Sequence, residues 1–177
     1  MAAIAGGTRV GFLGGGLGTN GVVRLVSAAA ANTGYYISTA AATPNFPISP
    51  LAGTCCVAIG SIPSGFSRTV HIGYDATTAW GVAALPATSI HAKFILSGAF
   101  IYASCRRSAG GPTTGQGGVT LSTSTYYVFL ILYPSDTEVR FVIWELLTNV
   151  KVFDELVVSD TPTTADGARL FHGVHAV

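Results

Sequence analysis

The chain has 177 residues, only 10% of them charged, a formal net charge of +1 and a mean hydropathy of +0.52. So small a net charge excludes the basic face of a nucleic-acid binder, and no apolar run approaches the ~18–20 residues of a membrane helix. A charged fraction this far below the usual ~25% implies a surface of Ser, Thr, Gly and Ala, burial against other subunits, or both, so a homo-oligomer is expected.

Residues 1–50 are Gly- and Ala-rich, with Arg9 and Arg24 as their only charges. Short strands are expected at 8–13 and 35–38, a strand or the start of a short helix running into 27–31 at 22–26, and a glycine loop at 14–18. Pro44, Pro47 and Pro50 then exclude helix and central strand. Residues 1–50 thus read as an extended arm and a Pro-rich hinge, or else as edge strands of the same domain. Residues 51–177 read as the domain proper. Strands are expected at 54–59, 67–74, 79–85, 89–96, 99–104 and 119–121, divided by Pro63-Ser64-Gly65, Pro86, Ser97-Gly98 and the loop 108–118.

The next stretch dominates the chain. Two apolar runs, 126–133 and 139–144, flank Pro134-Ser135-Asp136-Thr137 and predict a β-hairpin whose first strand stops at Pro134. Tyr127, Phe129, Ile131 and Tyr133 share one face; Tyr126, Val128, Leu130 and Leu132 share the other. Apolar on both faces, the strand is expected to be buried on both, with one face against a neighbour. Further strands are expected at 149–153, 156–159 and 169–174. Many short strands and scarcely any helix predict an all-β chain: an antiparallel β-sandwich or jelly roll, with an extended N-terminal arm.

The chemistry-bearing residues do not converge in the sequence. Gly16, Gly18 and Gly21 satisfy G-x-G-x-x-G, but no carboxylate precedes Asp75, so the ribose contact of a dinucleotide site is missing. Glu138 and Glu145 are the nearest approach to a glycosidase pair, though their setting reads as turn and edge charge. His172 and His175, three apart on a strand, face opposite sides and are not a metal pair. Cys55, Cys56 and Cys105 read as small buried hydrophobes. No catalytic residue, metal site or cofactor is expected, and the chain is read as a non-enzyme. Arg106 and Arg107, before the glycine-rich loop, are candidates for an acidic partner. Tyr35, Tyr36 and Trp80 are weighed as a sugar platform against ordinary packing. The expected interface comprises Phe12, Leu13 and Leu17 of the arm, Tyr127, Phe129 and Ile131 of the hairpin, and Arg106 and Arg107.

Residues 118–121, 125–131 and 138–143, together with Arg68-Thr69-Val70-His71-Ile72-Gly73-Tyr74 and Ala99-Phe100-Ile101-Tyr102, form a strand pattern. It resembles the concanavalin-A-like, lectin-type jelly-roll domains of tailed-bacteriophage structural proteins, over about residues 66–158. Trp144-Glu145-Leu146-Leu147 departs from that pattern, and no sugar or calcium ligand carries over. The resemblance implies a virion protein made in the host cytoplasm. A capsid cement or decoration protein, contacting the major capsid protein or another virion protein, is the first expectation. A head or tail fibre component with a carbohydrate-binding domain is the alternative.

Overall fold

The computed structural model describes residues 52–53, 55–62, 64–67, 69–76, 89–108, 111, 113, 115 and 117–163 with their side chains, and the backbone of 8–11, 23–26, 35–38 and 171–176. Twelve strands are present among these: β1 (Thr8–Gly11), β2 (Val23–Val26), β3 (Tyr35–Ser38), β4 (Cys55–Ser61), β5 (Thr69–Asp75), β6 (His91–Ser97), β7 (Phe100–Arg106), β8 (Gly118–Thr120), β9 (Tyr126–Ser135), β10 (Glu138–Glu145), β11 (Lys151–Val157) and β12 (Phe171–Ala176). Every pairing is antiparallel. One sheet has four strands in the order β11-β10-β9-β4, the other six in the order β3-β12-β5-β6-β7-β8, and β1 and β2 pair by themselves. The expected β-sandwich is what forms.

Alternation builds the core. Ile72 and Tyr74, Ala92, Phe94 and Leu96, and Ile101, Ala103 and Cys105 line the inner face of the six-stranded sheet. Cys56, Tyr127, Phe129, Ile131, Tyr133, Val139, Phe141 and Ile143 answer them from the four-stranded sheet. Phe94 meets Phe129, Phe141 and Phe153 edge-on, with ring centroids at 5.9, 5.2 and 6.1 Å. Such geometry adds about 0.5–1.5 kcal/mol per pair beyond burial. Gly73 has φ +139°, and a Cβ there would stand 2.5 Å from Ile131 Cδ1 and 2.7 Å from the Ala92 carbonyl oxygen, so glycine is required.

Several expectations are corrected. Tyr127, Phe129 and Ile131, expected at an interface, point into the core with 3%, 4% and 1% exposure. The outward set is the other one, and it is not buried: Tyr126 is 53% exposed, and Val128, Leu130 and Leu132 are half-buried. A face apolar on both sides says that two environments exist but not which side is which. Strand β9 runs through Pro134 to Ser135, because the register slips between Glu138 and Arg140 and the irregularity tolerates a residue without a donor. One strand, Lys151–Val157, replaces the two expected at 149–153 and 156–159. Strand β3, within the expected arm, joins the six-stranded sheet through β12. The strand expected at 79–85 lies outside the described residues.

The two sheets are unequal. Across the sandwich β4 lies against β5 and β11 against β8. The four-stranded sheet therefore spans β5 to β8, while β12 and β3 run past β4, and β2 lies against β3.

The facing assignment makes a sharp prediction. Phe129→Asp buries a carboxylate in the aromatic cluster and should cost at least ~4 kcal/mol, enough to unfold the domain. Leu130→Asp, one residue on, should cost no more than ~1–2 kcal/mol. Urea titration of both variants by circular dichroism checks it.

Candidate functional site

The outer face of the six-stranded sheet carries a polar row that no spacing rule in the sequence marks. Register sets Asp75 opposite His91 and His91 opposite Arg106, with Lys93 opposite Ser104 one step along. Asp75, His91, Lys93 and Ser104 are all buried, at 0%, 3%, 2% and 2% exposure. Lys93 Nζ donates to Asp75 Oδ2 at 2.6 Å, and Ser89 Oγ donates to the same oxygen at 2.9 Å. The His91 Nδ1–H donates to the Ser89 carbonyl at 2.8 Å, which fixes Nε2 as acceptor of the Ser104 hydroxyl, also at 2.8 Å. Arg106 closes the row, its Nε and Nη2 donating to Thr113 Oγ1 at 3.2 and 2.6 Å.

Burial and charge hold this row in one protonation state. Desolvation, reinforced by the Lys93 and Arg106 cations, pulls the His91 pKa down to about 3, against the weaker raising effect of the Ser89 carbonyl. Desolvation also lowers Lys93, and the adjacent Asp75 carboxylate opposes it. The Ser104–His91 contact has the outline of a nucleophile and its base. An imidazole held near pH 3 draws the serine proton weakly at neutral pH, and Ser104 is closed to solvent. The four buried side chains form an internal hydrogen-bonded network.

The other candidates disperse. Glu138 and Glu145 stand at opposite ends of β10, and Ser135 Oγ donates to Glu138 Oε2 at 3.0 Å. Burial raises the Glu155 carboxyl, opposed by a Gly117 backbone hydrogen bond. Cys56 and Cys105 are buried, and desolvation pushes the Cys56 thiol up to about 12. Cys55, expected inside, is exposed on the outer face, as its adjacency to Cys56 on a strand demands. Arg107 is exposed beside half-buried Arg106. Phe12, Leu13, Leu17, the glycine motif 16–21 and Trp80 lie outside the described residues, as do the side chains of Tyr35 and Tyr36. His175 pairs in register with His71, a neighbour relation invisible in the spacing of His172 and His175. Among the described residues no three His, Cys, Asp or Glu side chains gather as a metal would need.

The outer face of the four-stranded sheet is different in kind. Register stacks Leu156, Arg140, Leu132 and Cys55 in one row, and Asp154, Val142, Leu130 and Val57 in the next. A third row holds Lys151, Trp144, Val128 and Ile59. Arg140 grips Asp154 with two hydrogen bonds of 2.8 Å and Lys151 adds another, which holds the Asp154 carboxyl well below its usual range. Towards β4 the face turns apolar at Val57 and Ile59, which are 52% and 63% exposed, with exposed Ser61 beyond them. At the β4 end the sandwich opens into an apolar cavity of about 170 Å³, lined by Ala58, Gly60, Ile62, Phe66, Ile72 and Phe129 among others.

These features define an antiparallel β-sandwich of a four- and a six-stranded sheet, with a closed polar network and an open apolar face. The chain belongs to the SO2946-like family, whose C-terminal domain matches residues 19–177. The crystal structure of SO2946 from Shewanella oneidensis MR-1, a protein of unknown function, is similar in fold: TM-score 0.60, 15% identity, 87% of this chain covered. This chain spans 59% of that protein's length. Scytalido-glutamic peptidase, solved with a transition-state analogue inhibitor, gives a TM-score of 0.41 at 15% identity, over 73% of this chain and 61% of its own. No curated protein matches the sequence.

Two predictions test the network. A histidine is neutral in the fold down to about pH 3 but titrates near 6.5 when unfolded. The stability held by its neutral form is therefore complete above ~6.5 and is lost as pH falls from there toward ~3. Thermal melts between pH 7 and 4.5 should show a decline that His91→Gln reduces. Lys93→Met should cost ~3–5 kcal/mol by removing the ammonium that faces a buried carboxylate, and Lys93→Met with Asp75→Asn should recover part of that loss. Chemical denaturation of the single and double variants reads the difference.

Proposed function

We propose that this chain is a structural protein of a bacteriophage virion, acting without catalysis as a cement or decoration module between neighbouring capsid subunits. The carrying observation is the apolar outer face of the four-stranded sheet. Val57, Ile59, Tyr126 and Leu156 are each more than half exposed there, on three strands backed by the core. Exposed apolar area of this kind is characteristic of surfaces that meet another protein. The low charge of the chain fits the same reading, because a lattice of like subunits covers what a free monomer would expose. So does the strand-pattern resemblance to lectin-type phage domains. A lattice also multiplies weak contacts, which lets a modest face hold firmly.

Quantitative mass spectrometry of purified particles tests the reading. A cement protein should be present at a copy number comparable with the capsid subunit. The double variant Val57→Lys, Ile59→Lys should melt within a few degrees of the wild type, since both side chains are exposed, while its occupancy falls at least tenfold. A few copies per particle would favour a fibre component, and none would remove the virion reading.

A further inference from the structure

The polar row holds an amine and a carboxyl group in contact inside the protein. Lys93 Nζ stands 2.6 Å from Asp75 Oδ2, and the two side chains are 3% and 0% exposed. Register places Gly73 opposite Lys93 and Asp75 opposite His91, so Asp75 and Lys93 are diagonal neighbours on one face of β5 and β6. A long side chain reaches across that diagonal. Ser89 Oγ donates to the same carboxylate oxygen at 2.9 Å. The partners of Asp154 sit differently: Arg140 and Lys151 are 47% and 46% exposed and stay hydrated.

Such a pair has two fates: it persists as ions, or it condenses to an amide. In open water the ions win, because both are strongly hydrated and water is the product of condensation. Burial weakens both effects. A buried ion pair has lost most of its hydration, and replacing it with a neutral group is commonly favourable. Desolvation draws Lys93 toward its neutral, nucleophilic form, with the Asp75 carboxylate opposing. Contact supplies the rest. Groups fixed roughly 3–3.5 Å apart react with effective molarities of about 10⁵–10⁸ M. A nitrogen 2.6 Å from Oδ2 is already beside the carbon that bears that oxygen.

We infer that Lys93 and Asp75 join in an intramolecular amide, a covalent cross-link between β5 and β6. Lys93 Nζ attacks Asp75 Cγ. Two protons pass from the ammonium to Oδ2, across the direct contact or by way of the Ser89 hydroxyl, and Oδ2 departs as water. One N–C bond forms, one C–O bond breaks, Nζ keeps a single hydrogen, and no further reactant enters. The first proton transfer neutralises both partners, which suits a site closed to solvent. The same step is denied to Arg140 against Asp154, because a guanidinium does not give up its proton. The cross-link follows from the fold and is independent of the assembly reading above.

Intact-mass spectrometry of the full-length chain, denatured after purification, tests it. The mass should be one water below that of the sequence. Lys93 is the sole tryptic site between Arg68 and Arg106. Digestion should therefore yield residues 69–106 as one looped peptide, again one water short, in place of 69–93 and 94–106. Further cleavage after Trp80 should open the loop without parting residue 75 from residue 93. Lys93→Arg keeps a cation against Asp75 that cannot be deprotonated, so this variant should show the full mass and cleave normally at residue 93. Three results would overturn the proposal. One is a wild-type chain of full mass. Another is a pair of fragments that separate on cleavage after Trp80. The third is a missing water that survives Lys93→Arg, as closure of Asp75 onto its own backbone would give.

Discussion

One aromatic contact organises the rest of the molecule. Phe94, on a central strand of the wider sheet, meets Phe129, Phe141 and Phe153 from three strands of the narrower one. Its ring has no solvent exposure. Sheets that face each other can slide until some side chains interdigitate; here Phe94 sets both spacing and offset. Gly73 depends on the same seating, since its bare Cα leaves space for Ile131 from the opposite sheet. With the offset set, β4 falls over β5 and β11 over β8, and the unequal width of the sheets follows.

Much of this was legible in the residues. The alternation of Val70, Ile72 and Tyr74, the Ser97-Gly98 turn and the apolar hairpin after residue 125 specify short antiparallel strands, and such strands are what forms. The face assignment was not legible. Tyr126–Tyr133 is apolar on both sides, so period two yields two sets without saying which meets the core. Aromatic bulk decides it: Tyr127, Phe129 and Tyr133 fill the inner layer, while Val128, Leu130 and Leu132 remain outside. Pro134 misleads for a similar reason, because its tolerance depends on a register slip that only the paired strand reveals.

The polar row was less legible still. Asp75, His91, Lys93, Ser104 and Arg106 come from three strands, and only the register between those strands brings Asp75, the His91–Lys93 pair and the Ser104–Arg106 pair together. Taken singly, each reads as a strand-end charge or a solvated surface group. The one local cue is the alternation His91-Ala92-Lys93-Phe94, which puts two titratable residues on a single face. Their burial in turn explains why so few charges suffice for this chain: those present on this face are partnered internally rather than spread over the surface.

The inequality of the two sheets also gives the molecule a direction. A dimer that closes on itself needs a surface that meets its own image, and the overhang of β12 and β3 keeps two β4 edges apart. A contact that paired the β4 edge would therefore join unlike surfaces, and unlike surfaces propagate into rings or filaments unless something else terminates them. The width of one sheet relative to the other thus bears on which symmetries an assembly of this protein can adopt.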